Sequence, residues 1–218
     1  MEMTEAIYGE LPVDLGFVDL DCREMMCWLY LPVKLPYSKL VIPSNLKKYQ
    51  LLLDMVKEDL GDWEDKFVYI TAKTLWVGKG NLGNRPGWHS DGFLTDDLNY
   101  IWCDKNPTVF YYNGDKRYSF SKNHEHSLLQ MGTTCIYPGY TMKYPEKHLL
   151  KLDERVLHTV DADIEEGMRT FIKVSVSRHP YKMIGNSINH ELTGDWLDTE
   201  RSDSRNCPAG LGGTNERS

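Results

Sequence analysis

The sequence predicts a mainly β fold with flanking helices, and three observations carry that prediction. Runs rich in β-branched and aromatic residues recur beyond residue 66, parted by glycine, proline and asparagine. Residues 169–177 (RTFIKVSVS) alternate: Thr170, Ile172, Val174 and Val176 share one face, and Arg169, Phe171, Lys173, Ser175 and Ser177 share the other. The best helical spacing in the chain lies over 44–60. Short strands separated by turn signals point to a β-sandwich or jelly roll.

Taken in order, residues 1–43 carry Pro12, Pro32, Pro36 and Pro43 among short apolar runs such as MMCWLYL, an irregular leading segment with one or two short strands. Over 44–60, Leu46, Leu53, Val56 and Leu60 recur near helical spacing, with Ser44 placed to cap and Gly61 to stop. FVYITAKTLWVG (67–78) reads as strand. TVFYYNGDKRYSF (108–120) reads as a hairpin turning at Asn113-Gly114. LLQMGTTCIYPG (128–139) reads as a strand interrupted at Gly132 and ended by Pro138-Gly139. The expected organisation is a single domain over 1–194, with a polar, glycine-rich tail or lid over 195–218.

Net charge is −7 with no lysine- or arginine-rich block, which weighs against a nucleic-acid partner because phosphate contacts need clustered cations. The N-terminus lacks a basic start and an apolar core of the secretory kind, and no apolar run nears the ~18 residues that suggest a membrane span. The five cysteines (Cys22, Cys27, Cys103, Cys135, Cys207) are scattered and form no CxxC, so a cytoplasmic protein with reduced thiols is expected.

Two separated fragments carry the chemistry. RPGWHSDGF (85–93) supplies His89-x-Asp91, and RVLHTVDADIEEGMRTFIKVS (155–175) supplies His158 and Arg169. Alternate residues of a strand point the same way, so His89 and Asp91 can reach one ion from a strand end, with Gly87 and Gly92 letting the backbone turn on either side. Alone, H-x-D is a weak signal and reads as an exposed loop. With His158, two imidazoles and a carboxylate make the ligand set of a facial-triad non-heme Fe(II) site, which leaves coordination positions open for reaction. Arg169 opens the alternating strand on its polar face, where a guanidinium fork matches a carboxylate. Taken alone, it reads as a surface arginine.

The combined pattern WHSD…RVLHTV…EGMRTFIKVS resembles the Fe(II)- and 2-oxoglutarate-dependent oxygenases, over roughly residues 67–180. Trp88-His89-x-Asp91 looks like the phytanoyl-hydroxylase branch, and the stretch from His158 to Arg169 looks like the prolyl-hydroxylase branch. The resemblance implies a double-stranded β-helix, a jelly roll of cupin-like form, with the 44–60 helix supporting one sheet. It implies Fe(II) held by His89, Asp91 and His158, with 2-oxoglutarate as co-substrate anchored by Arg169 and dioxygen as oxidant. Some members carry R-x-S at that arginine; here Phe171 stands at the serine position, which brings in Lys173 or Arg178 as alternative anchors. The implied activity is a dioxygenase, a hydroxylase acting on a small or medium-sized substrate such as an amino acid, a peptide-tethered residue or a natural product. Trp88, Phe93, Tyr137 and Tyr140 are candidates for shaping the pocket, more as core or rim than as substrate contacts.

Two other classes compete: a cupin-type binding or isomerase protein without redox chemistry, and a degenerate oxygenase fold used as an interaction module. His124-Glu125-His126 resembles a cupin H-x-H, but Gln130 stands near the expected glutamate and the stretch reads as a solvated loop. His148, His179 and His190 lack partners at ligand spacing. GKGNLGNRPG (78–87) does not lie between a strand and a helix, so it is no nucleotide fingerprint; it reads as a mobile loop beside the site. Neither G-x-S-x-G nor H-E-x-x-H occurs, leaving serine-hydrolase and zincin readings without support.

Overall fold

The structure is a computed structural model and describes residues 2–22, 24–112, 114, 116–136, 140–181 and 183–192. Among these, nine strands occur in chain order: β1 (Val13–Phe17), β2 (Met26–Lys34), β3 (Phe67–Val77), β4 (Leu98–Cys103), β5 (Val109–Tyr111), β6 (Thr141–Lys143), β7 (His148–Leu152), β8 (His158–Thr159) and β9 (Gly167–Ser177). Two helices accompany them, α1 (Gln50–Leu60) and α2 (His124–Thr134). The chain is thus mainly β, with two antiparallel sheets. The large sheet runs β1-β7-β4-β9-β3-β2 and the small one β6-β5-β8. An antiparallel bridge between His89 and His158 sets the His89 segment beside β8.

The alternation of β9 decides the layering. Its partner β3 pairs with it from Gly167 opposite Val77 to Ser177 opposite Phe67. On one face Ile172, Val174 and Val176 join Ile70 and Ala72 of β3 in a core closed by Leu46, Tyr49, Leu52, Leu53 and Val56. These last residues come from a 3-10 turn (Ser44–Tyr49) and α1, so the expected helix lies where the sequence put it but begins as a tighter coil. Ser44 makes no side-chain cap, whereas Gly61 ends α1 at φ 71°, donating its N–H to Lys57. The opposite face of the large sheet meets the small one, where Phe171, Ile101 and Cys103 pack with Phe110 of β5. Outside the small sheet, Tyr111 and Leu157 pack with Met131, Cys135 and the N-terminal Tyr8.

Three expectations are corrected. The stretch expected as a strand over 128–139 is largely α2. Ser127, Met131 and Cys135 are all buried, and that four-residue spacing belongs to a helix rather than to alternation. Asn123 caps α2 by accepting the N–H of His126 at 3.0 Å, so the HEH stretch starts a helix instead of forming a loop. The hairpin over 108–120 does not form either. β5 ends at Tyr111 and pairs with β6 and β8, while Tyr118 exchanges backbone hydrogen bonds with Tyr8 at 2.8 and 3.1 Å. β6 and β8 therefore fill both places beside β5, and the segment that would have returned pairs with a distant N-terminal segment instead. Asn113 and the tail over 195–218 lie outside the described residues. No described helix is long and apolar enough to cross a membrane.

Candidate metal centre

His89 and His158 form a hydrogen-bonded antiparallel pair. The N–H of His89 donates to the carbonyl of His158 at 3.0 Å, and the reverse bond is 2.9 Å. Directly opposed residues of such a pair project to the same face, and the two imidazole centroids lie 4.5 Å apart. Gly87 (φ 93°) and Gly92 (φ 74°) bracket the first histidine and the aspartate. At Gly92 a Cβ would stand 3.2 Å from Asp97 Cβ and Thr95 Oγ1, so the turn that follows Asp91 requires glycine. Ligand atoms of His89, Asp91 and His158 all lie within 4.8 Å of one another.

Hydrogen bonds fix which imidazole nitrogens face the centre. His89 Nδ1 lies 2.7 Å from the Gly87 carbonyl, and His158 Nδ1 lies 3.2 Å from the Val156 carbonyl. A carbonyl only accepts, so both Nδ1 atoms carry hydrogen and both Nε2 atoms keep a bare lone pair. A backbone carbonyl behind each imidazole is the usual support of a metal-ligating histidine. His158 Nε2 stands 3.9 Å from Asp91 Oδ2. The same carboxylate oxygen accepts a 2.9 Å bond from Lys173 Nζ, which also donates to the Tyr30 hydroxyl at 3.1 Å.

The charge states follow from this burial and pairing. Burial would raise the Asp91 carboxyl, but Lys173, then His158 and His89, outweigh it and hold the group well below the usual carboxylate range. Burial likewise works against the Lys173 ammonium, and Asp91 and Tyr30 more than restore it. Burial, reinforced by His89, pushes His158 down to about 4, and burial lowers His89 too. At neutral pH the site therefore holds two neutral imidazoles and an ionised carboxylate, the state a divalent cation requires. Affinity for Mn(II) should hold level through neutral pH and fall as pH drops toward about 4, where His158 takes up a proton. A calorimetric pH series showing the fall begin on the alkaline side of neutrality would contradict that assignment.

Beside the three residues lies a cavity of about 170 Å³. It is smaller than the roughly 300–1,000 Å³ of drug-sized pockets. Its wall carries three cations, Lys73, Arg85 and Lys173, against the single carboxylate of Asp91, and the hydroxyls of Tyr30, Thr71 and Thr108. Such a wall suits a small anion. No protein-family model and no curated protein matches this chain. What the site can do rests on its own geometry.

The remaining sequence candidates fall at different places. Arg169 is buried, donates Nε to the Lys105 carbonyl at 3.0 Å and stacks 5.3 Å from the Phe171 ring. Phe171 lines the cavity and Arg169 does not. Lys173 lines it but is engaged by Asp91. Arg178 is exposed beside Asp65 and Asp96, away from the cavity. Trp88 and Phe93 belong to the cluster outside the small sheet rather than to this wall, Tyr140 is exposed, and Tyr137 lies outside the described residues. Cys22, Cys27, Cys103 and Cys135 are free thiols, and Cys207 lies outside the described residues.

Sequence reasoning missed Lys73. The signal was present: it is the only charged residue between Phe67 and Val77, in a strand otherwise of apolar, aromatic and threonine side chains. An ionised group in such a strand needs water or a partner on its face. The loop over 78–87, expected beside the site, does contribute Asn84 and Arg85 to the cavity.

Proposed function

We propose that this chain is an Fe(II)- and 2-oxoglutarate-dependent oxygenase of double-stranded β-helix architecture, hydroxylating a small or medium-sized substrate. The observation that carries the reading is the convergence of His89, Asp91 and His158, with both Nε2 lone pairs bare and one carboxylate ionised. Two neutral nitrogens and one carboxylate fit a ferrous ion and leave coordination positions for other ligands.

The path of the chain supports the architecture. From β3 in the large sheet it passes to the His89 segment beside β8, returns to β4, crosses to β5 and β6, and returns to β7. It then crosses to β8 and ends in β9, beside β3. Strands that step between facing sheets are what a jelly roll requires, and this path supports that reading. His158 stands on β8 of the small sheet with the His89 segment bridged to it, and Lys173 reaches Asp91 from the large sheet.

When bound, the ferrous ion with 2-oxoglutarate and dioxygen supplies the oxidation: 2-oxoglutarate leaves as succinate and carbon dioxide, and one substrate C–H becomes C–OH. The protein's own groups hold and orient. His89, Asp91 and His158 would carry the ion. Lys173 keeps Asp91 ionised and, with the Tyr30 hydroxyl, fixes the carboxylate's orientation. The cationic wall draws in an acidic co-substrate, and Ile101 and Phe171 shield part of the cavity from water.

The test is succinate formation from 2-oxoglutarate under air with added Fe(II). Slow, substrate-independent succinate release is expected from the wild-type chain and none from His158→Ala. Equal release from both would put the activity elsewhere, and none from either, with Fe(II) bound, would favour the non-redox cupin-type alternative.

A further inference from the structure

We infer that Arg85, on the loop over 78–87, receives the primary substrate, and that this substrate is a small carboxylic acid without an amine. This rests on the oxygenase reading above and names a substrate class for that same site. The cavity presents three cations. Lys173 is engaged by the Asp91 carboxylate at 2.9 Å. Lys73 is engaged by the loop itself: it donates to the Gly83 carbonyl at 2.6 Å and to Asn84 Oδ1, with the Phe171 ring 5.4 Å away. Arg85, by contrast, makes no hydrogen bond and no ion pair among the described residues.

The loop sets Arg85 where an incoming molecule meets it. Lys73 ties residues 83 and 84 to β3, and His89 Nδ1 donates to the Gly87 carbonyl at 2.7 Å, so Arg85 and Pro86 lie between two tethers. Gly83 (φ 77°) passes so close to β3 that a Cβ would meet Val77 Cγ1 at 2.8 Å, so glycine is what lets the first tether form. Arg85 is exposed and yet lines the cavity, which places it at the mouth, near enough for its charge to bear on His89. It also borders a hollow of about 10 Å³ against Phe93 and His124, which has room for about one water. A larger anion therefore meets Arg85 at the main cavity.

Charge and size set the substrate class. A divalent cation and the two carboxylates of 2-oxoglutarate cancel, so with both in place the cations of the wall still outnumber the Asp91 carboxylate. Positive charge concentrated in a cleft draws in a further anion, and a guanidinium matches a carboxylate with two parallel hydrogen bonds. An ammonium would meet like charge. Among the described residues lining the cavity Asp91 is the one carboxylate, and it is already paired with Lys173. The cavity volume of about 170 Å³ keeps the molecule small.

The test uses the full chain loaded with Mn(II) and 2-oxoglutarate without oxygen. It reads the proton relaxation that bound Mn(II) imposes on propionate, butyrate and hexanoate, on the primary amide of each, and on L-alanine. In wild type each acid should bind more tightly than its amide, and propionate more tightly than L-alanine. Arg85→Met, which keeps an aliphatic stem at an exposed position, should erase the preference for acid over amide. That is a loss of about 10- to 100-fold, the worth of a hydrogen bond to a charged group, with Mn(II) and 2-oxoglutarate affinity unchanged. No preference for the acids in wild type, or L-alanine binding as tightly as propionate, would overturn the inference. So would a preference that survives in Arg85→Met, by placing the acid on the metal or another cation. An equal fall in 2-oxoglutarate affinity in Arg85→Met would overturn it too, by assigning Arg85 to the co-substrate. All of these outcomes leave the oxygenase reading intact. Failure of Mn(II)-loaded wild type to bind 2-oxoglutarate would overturn both.

Discussion

Replacing His89 or His158 by alanine is expected to weaken Fe(II) or Mn(II) binding by more than about 100-fold, since even the groups that merely support a metal-ligating histidine are worth about 10- to 100-fold. The two changes should act alike, because the imidazoles are opposed residues of one hydrogen-bonded pair and offer the same nitrogen. The fold should survive both, since the backbone bonds between the two residues do not depend on the side chains. Calorimetric titration with Mn(II) and the thermal unfolding curve check the two halves. Either variant keeping wild-type affinity would show that the ligands are misassigned.

Asp91→Ala should lose metal binding and also destabilise the metal-free chain by about 3–5 kcal/mol, the cost of leaving a buried charge without its counter-ion. Lys173 is 8% exposed, and after the change only the neutral Tyr30 hydroxyl would face its ammonium at 3.1 Å. For a domain of this size the loss corresponds to a fall in Tm on the order of 6–20 °C. Adding Lys173→Met should recover most of it, because an apolar pair replaces a buried ion pair at little cost.

The pH dependence has a definite sign. Asp91 is depressed in the folded chain, so its contribution is present above the unfolded carboxylate value of about 3.9 and is lost as pH falls below that. Lys173 is raised, so its contribution is present below about 10.4 and is lost as pH rises further. His158, lowered to about 4, favours the fold above its unfolded value and loses that contribution as pH falls from there toward about 4. Acid destabilisation of the metal-free chain should therefore begin with the imidazoles and deepen as Asp91 protonates. Chemical denaturation of wild type and of the Asp91→Ala, Lys173→Met double variant across pH would isolate the Asp91–Lys173 pair: the two should be close in stability between about pH 4 and 10, and the wild type should fall below the double variant outside that window.

Much of the site was legible in the sequence because its parts obey local rules. The two glycines around His89-x-Asp91 adopt positive φ as their placement implied, and the polar face of 169–177 does face a cavity, through Phe171 and Lys173. The long strands β3 and β9 and the 44–60 helix were legible for the same reason: each carries a periodic pattern longer than its interruptions. What failed depended on distant chain. Tyr8 occupies the pairing position beside Tyr118, and nothing between 108 and 120 announces that partner. At 124–134, the adjacent Leu128 and Leu129 mask a spacing of four carried by Ser127, Met131 and Cys135, two of which are not obvious core residues. The place of Arg169 behind the face of Phe171 depends on the Lys105 carbonyl, contributed from 64 residues away.

The most direct test of the central claim is the visible absorption of the oxygen-free chain after stoichiometric Fe(II) and then 2-oxoglutarate. A ferrous ion held by His89, Asp91 and His158 and chelated by a 2-oxo acid should give a weak metal-to-ligand charge-transfer band in wild type, and none in His89→Ala or His158→Ala. A wild-type chain that binds Fe(II) but develops no band, or a band that persists without His158, would contradict it.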